Sequence, residues 1–237
     1  MPIFNFIKSI SLKNENWENE IFLTFDIDWA SDEVINDSLE VIEKYGIKST
    51  WFVTHDSPIL ERLKDNKNIE LGIHPNFNFL LNGDFRNGRN AEEIVDKLLE
   101  IVPNANCVRS HAMTQSSGLL ELFYNKGLTH DCNHFIPEQT EIILKPWSIW
   151  NGLIKVPYFW EDDINCVSEN RTAINDLVNR KGIKVFDFHP IHVFLNLENI
   201  DRYYQIRDFQ KETDKLLPYI NTKEIGVKDL LKQLITA

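Results

Sequence analysis

Four short stretches of this chain hold residue types that could share chemistry. Asp26-Ile-Asp28 sets two carboxylates two positions apart behind an apolar run, so a continuing strand would turn both to one face. Two such groups can divide labour. One binds a divalent cation, and the other takes a proton from an attacking water. The plainer alternative is a helix cap followed by an unrelated surface acid. His74-Pro-Asn-Phe-Asn78 adds an imidazole, the commonest protein metal ligand, and one helical turn would bring the Asn78 amide oxygen beside it. Arg109-Ser-His111 adds a guanidinium that could orient a catalytic carboxylate, bind an anionic substrate group or form an ion pair at a barrel rim. In His189-Pro-Ile-His192 either imidazole could give a proton to an amine leaving group. At least one of the two is expected to be buried on a backbone hydrogen bond. The Trp160-Glu-Asp-Asp163 run and Asp131 could hold Arg109 or His189 in place, with Glu161 itself in a solvated acidic turn. His55 and His130 are expected to be structural.

These residues need strands and loops to bring them together, and the pattern supplies them. Ile21 to Phe25 is a β-rich run that ends at Asp26. Ile35, Leu39 and Ile42 fall at helical spacing within Glu33–Lys44, and Gly46 suits the helix end. Lys48–Val53 reads as a second strand, and Pro58 stands near the start of a helix. Ile69–Ile73 reads as a third strand ending at His74, followed by a long polar loop from Pro75 to Asn90. Asn90 is placed to cap the next helix, with Glu93 as reciprocal partner. Cys107–Arg109 is a further strand and Ser116–Lys126 a helix closed by Gly127. Asn151-Gly152 between apolar runs predicts a hairpin. Ser168–Lys181 is expected to be helical, Ile183–Phe188 to be a strand ending at His189, and the tail from Tyr203 to be helical with a break at Pro218. Alternating strands and helices predict a mostly parallel sheet, whose ligands sit beyond the carboxyl ends of the strands. Asp26, Asp28, His74, Arg109 and His189 all fall at or just after such ends.

Composition narrows the class. The chain has 237 residues, 43% of them hydrophobic, enough for one sizeable core. A formal charge of −11 would repel a phosphate backbone, which argues against nucleic acid as a partner. Three cysteines without close spacing argue against a disulfide framework or a Cys-x-x-Cys zinc site and fit a reducing compartment. No signal-peptide pattern opens the chain, and no apolar run is long enough to span a membrane, so a cytoplasmic protein is expected.

Taken in order, the motifs resemble those of the polysaccharide deacetylase superfamily, the NodB-homology group or carbohydrate esterase family 4 in the broad sense. Thr24-Phe-Asp26-Ile-Asp28 is similar to its T-F-D-D motif, and Ser49-Thr-Trp-Phe-Val53 to its A-T-F-F-V strand. Gly72-Ile-His74-Pro-Asn-Phe-Asn78 is similar to H-[ST]-x-x-H, Val108-Arg109 to the start of R-x-P-x-G, and Phe186-Asp-Phe-His189-Pro190 to the strand carrying the catalytic His. The pattern is nearest to deacetylase-like proteins associated with lipopolysaccharide or capsule biosynthesis. The resemblance implies an α/β fold, a distorted (β/α)7-type, NodB-like barrel. It covers a single catalytic domain over residues 1–237, with the motifs in about residues 20–195 and a helical C-terminal tail. It also implies a divalent metal, zinc by expectation, and removal of an N-acetyl group from a carbohydrate. By position, Asp26 would be the base, Arg109 its orienting partner and His189 the acid. Asp28, His74 and Asn78 would hold the metal. Ile27 separates the two acids and Asn78 stands where the family has a second His, so His111 becomes a candidate for completing the site. Trp29, Asn76 and His192 are the candidates for substrate binding.

Two other readings share some of these residues. Haloacid-dehalogenase-type phosphatases also place D-x-D after an apolar strand, but that reading leaves His74 and His189 unexplained and meets Ala30 where Thr or Val is favoured. A catalytically inactive sugar-binding barrel would be consistent with Asn78.

Overall fold

The computed structural model describes residues 2–237. Seven strand segments run parallel. They are β1 (Glu20–Asp26), β2 (Ser49–Val53), β3 (Ile69–Ile73), β4 (Cys107–Val108), β5 (His130–Phe135), β6 (Ile154–Tyr158, continuing after Phe159 as Trp160–Glu161) and β7 (Lys184–Phe188). Neighbours pair in that order from β1 to β6, and β7 pairs with β1. The sixth strand completes the circuit because it kinks. Its first half pairs with β5, and Trp160–Glu161 pairs with β7. The result is the expected distorted seven-stranded α/β barrel.

The two faces of the strands divide by chemistry, as a period of two requires. On one face Phe25 stacks on Trp51 at 4.2 Å and meets Phe188 at 6.0 Å. On the other, Thr24, Asp26 and Asp187 share the Arg109 guanidinium. The N-terminal segment closes the barrel's lower end. Ile3–Phe4 pairs with Glu20–Ile21, and the backbone N–H groups of Ile7 and Lys8 donate to Thr50 and Glu70 at the starts of β2 and β3.

Most expected helices form. Asp32–Tyr45 is capped by the Ser31 side chain and ends at Gly46, φ +62°, the left-handed region where glycine carries no Cβ penalty. Asn90 caps Ala91–Ile101, but Glu93 does not return the bond to Asn90. Its carboxylate accepts the Arg89 N–H instead. Ser168–Lys181 is helical only over Ile174–Val178, because the apolar residues that could anchor a helix begin at Ala173. A short helix, Asp162–Val167, precedes it. The Asn-Gly hairpin is present, with Trp147–Ser148 antiparallel to Ile154–Lys155. The loop after His74 contains a helical turn, Asn78–Leu81. In the tail, the helix Ile200–Ile206 and single turns precede a terminal helix, Val227–Thr236. Among the described residues no helix is long and apolar enough to cross a membrane.

Candidate active site

The site forms at the carboxyl ends of the strands. β1 stops at Asp26, and the chain then turns sharply: Asp28 and Trp29 have φ of +37° and +56°. The Trp29 N–H donates to Thr54 Oγ1, and the Ala30 N–H to the Ile27 carbonyl. This corrects the expectation of a continuing strand. The two carboxylates do not share a strand face. The turn instead sets them at opposite nitrogens of one imidazole: Asp26 Oδ2 is 3.5 Å from His74 Nδ1, and Asp28 Oδ1 is 3.2 Å from His74 Nε2. His74 itself is held where β3 ends, its N–H donating to the Val53 carbonyl at 2.8 Å.

His111 arrives from the loop after β4. Its N–H donates to the Pro75 carbonyl, and Ala112 and Met113 after it adopt φ of +54° and +52°. Left-handed non-glycine residues on both sides of one site are the kind of local strain that surrounding packing must hold in place. His111 Nδ1 lies 3.2 Å from Asp28 Oδ1 and 3.3 Å from His74 Nε2. The three ligand atoms thus form a nearly equilateral triangle. Zinc bonds of roughly 2.0–2.1 Å in a tetrahedral site put ligand atoms about 3.3 Å apart. Asp28 Oδ1 is buried, and although both imidazole nitrogens lie 3.2 Å away it has no geometrically well-formed hydrogen bond among the described residues. Two imidazoles and one carboxylate are a donor set suited to zinc.

Two other clusters of acids and imidazoles lack such a free triangle. Asp26 and Asp187 share Arg109, and Asp162 is occupied by two imidazoles. Arg109 is 1% exposed, and its guanidinium lies between the Phe52 and Tyr158 rings at 4.6 and 4.5 Å. Nη1 donates to Asp26 Oδ1 at 3.0 Å, to Thr24 Oγ1 at 3.1 Å and to Asp187. Burial raises the Asp187 carboxyl to about 7 against the pull of Arg109, with the nearby Asp26 charge adding to the rise.

His189 follows β7, where it caps the helix Pro190–Leu195. Its Nδ1 is 2.7 Å from Asp162 Oδ1, and its backbone N–H donates to Asp162 Oδ2 at 2.7 Å. This clamp sets Nε2 toward the site, 3.7 Å from Asp28 Oδ2. Burial alone would make the ring harder to protonate. The Asp162 charge and hydrogen bond, with help from Asp28 and Asp187, outweigh it and hold the pKa well above the usual histidine value. At Asp28, burial favours the neutral acid, yet the imidazoles of His111, His74 and His189 hold the carboxyl well below the usual range. A protonated His189 beside an ionised Asp28 is the state this geometry favours.

Of the other expected site residues, Trp29 and Asn76 line a cavity of about 240 Å³ together with His74. The Trp29 ring meets His111 edge-on at 5.0 Å. His192 does not line that cavity; it is buried behind His189 and shares Asp162 Oδ1 at 3.0 Å. Asn78 does not join the triangle. Residues 74–77 are not helical, so no turn folds its amide back, and its side chain makes no hydrogen bond to Asp28, His74 or His111 among the described residues. Asp131 supports neither Arg109 nor His189, because it is ion-paired with Lys155. Glu161 is half-buried, not solvated, and pairs in register with Asp187. Burial, then the charges of Asp163 and Asp187, raise its carboxyl well above the usual range. His130 is structural as expected, bonded to Thr129 and the Ile10 carbonyl. The site residue missed from the sequence is Asp187, although Asp187-Phe-His189 carries the same two-residue spacing as Asp26-Ile-Asp28.

Comparison with known proteins places this geometry in context. A family model described as WbmS-like polysaccharide deacetylase matches residues 23–207. A crystal structure from Bordetella bronchiseptica, described as a polysaccharide deacetylase involved in O-antigen biosynthesis, is similar at 40% identity. The match covers 98% of this chain and 97% of that one, with a TM-score of 0.90. A structure described as a polysaccharide deacetylase from Mycobacterium smegmatis aligns over 76% of this chain and 79% of its own, at 14% identity and a TM-score of 0.50, a likeness of fold alone. No curated protein matches the chain.

Proposed function

Since the chain belongs to the WbmS-like polysaccharide deacetylase family, we propose that it is a metal-assisted carbohydrate N-deacetylase acting on an N-acetylated sugar or glycan intermediate in the cytoplasm. The observation that carries this reading is the triangle of Asp28, His74 and His111, with Asp26 and His189 on either side of it. Those three residues would hold the ion, zinc by the donor set. When bound, such an ion supplies a Lewis acid that polarises the amide carbonyl and activates water.

The chain's own residues supply the proton transfers. Asp26, oriented by Arg109 through Oδ1, has Oδ2 free of a hydrogen bond and takes a proton from the attacking water. His189 gives its Nε2 proton to the amide nitrogen as the carbon–nitrogen bond breaks, so acetate and a free amine leave. Asp162 keeps the imidazole in the tautomer this donation needs. Trp29 and Asn76 contact the sugar from the cavity wall.

The test is acetate release from N-acetylated sugars by the purified protein with added zinc or cobalt, alongside metal analysis. Zinc near one equivalent and acetate release abolished by Asp26→Asn are the expected results. Magnesium-dependent phosphatase activity abolished by the same substitution, without acetate release, would overturn the reading in favour of a phosphatase. Neither metal nor activity would mark an inactive sugar-binding barrel.

A further inference from the structure

The cavity beside His74 also has lining residues that the deacetylation chemistry does not use. One wall is apolar, formed by Ile94, Leu98 and Ile101, and the rim carries Arg86 and Lys97. Among the described residues no carboxylate lines it, in a chain with 36 acids and 25 basic residues. The two cations are held, not loose. Arg86 stacks on the Phe79 ring at 4.4 Å and bonds Asp84 through Nε and Nη2, which leaves Nη1 without a protein partner among the described residues. Lys97 Nζ donates one hydrogen to the Asn87 carbonyl at 2.7 Å and keeps two. The Asn87 side chain in turn donates to the Asn76 carbonyl, which ties the cationic rim to the segment that follows His74. At about 240 Å³ the space is smaller than the roughly 300–1,000 Å³ of pockets that bury whole drug-sized ligands, so it suits one substituent or one ring.

We propose that this cavity binds an anionic substituent, a phosphate or a carboxylate, carried by the sugar whose N-acetyl group lies at the Asp28–His74–His111 triangle. The proposal rests on the deacetylase reading for the word sugar, and on the cavity alone for the word anionic. A guanidinium edge and an ammonium, with Asn76 and Trp29 in the same lining, recognise a charged oxygen group by charge-assisted hydrogen bonds. Arg86 and Lys97 bond to none of Asp26, Asp28, His111 and His189 among the described residues, so they act as specificity residues rather than catalytic ones.

The test is calorimetric binding to the zinc-treated full chain of three probes that share the N-acetylated sugar and differ in the anionic group it carries. These are N-acetylglucosamine, its 1-phosphate and its uronic acid. At least one anionic probe is expected to bind about tenfold tighter than the neutral sugar, and the stronger of the two names the source of the charge. Arg86→Gln together with Lys97→Gln is expected to remove that preference while the zinc content stays unchanged. Equal binding of all three probes, binding of none, or a preference that survives in the double variant would overturn the proposal. Acetate release is measured separately. A charge preference without acetate release sinks the deacetylase reading and leaves the subsite standing, whereas acetate release without a charge preference does the reverse.

Discussion

Three imidazoles crowd Asp28, each brought by the end of a different strand or the loop that follows it. His111, more than Asn78, is therefore the residue to substitute. His111→Ala is expected to weaken zinc binding by more than the roughly 10–100-fold typical of second-shell losses, whereas Asn78→Ala leaves it within a few-fold. Equilibrium dialysis with zinc measures both. Asp187 makes a different prediction. An acid whose folded pKa is raised stabilises the fold fully only below its unfolded value, and that stability is lost as pH climbs through the folded value, here about 7. Asp187→Asn removes this loss. The gap in thermal midpoint between pH 5 and pH 8 is expected to be smaller in the variant than in the parent, and an equal gap would mean that Asp187 is ionised throughout.

At the scale of elements, the helix Pro190–Leu195 carries both His189 and His192, so whatever fixes it fixes the proposed acid. It is fixed by the tail. Asn196, at φ +48°, ends that helix, and its Oδ1 accepts the N–H groups of Lys228 and Asp229 at the start of the terminal helix. Gly226 lets the two chains approach, because a Cβ there would sit 1.9 Å from the Asn196 carbonyl oxygen. Gly226→Ala is expected to cost at least about 3 kcal/mol, since backbone must shift to admit it, and a urea melt reads the loss. The short helix Asp162–Val167 shows the same dependence from the other side. Read as an acidic run, Glu161–Asp163 points to Glu161 as its solvated member and does not choose between Asp162 and Asp163. The kink at Phe159 and the pairing of Trp160–Glu161 with β7 select Asp162 for His189 and lodge Glu161 next to Asp187.

For the whole molecule, the barrel is closed below by its N-terminal segment and carries its chemistry above. Phe4, Ile7 and Ile10 are buried there. At about 1.5–3 kcal/mol for each buried apolar side chain, removing the three costs roughly 4.5–9 kcal/mol, a large part of the about 5–15 kcal/mol that stabilises a typical domain. Deleting residues 1–10 is expected to leave a chain without a cooperative thermal transition. A sharp transition within a few degrees of the parent would show that the plug contributes little.

The sequence by itself determined the class of fold and where its site lies. Apolar runs ending in polar residues mark strands and their ends, and both are local properties written in side-chain period and chain order. Asp26, Asp28, His74, Arg109 and His189 could be grouped on that basis, and the motif order added a family. What only the tertiary structure decided is which atoms face each other. Asn78 looked like the third corner because four residues are one helical turn, but the chain after His74 is not helical there. His111 takes the corner from another strand end, at a distance along the chain where spacing carries no geometric information. Asp187, Asp162 and Lys155 found their partners in the same way, through strand neighbours set by the closure of the barrel. Local pattern can say that a residue ends a strand, but only the ring of strands says what stands opposite it.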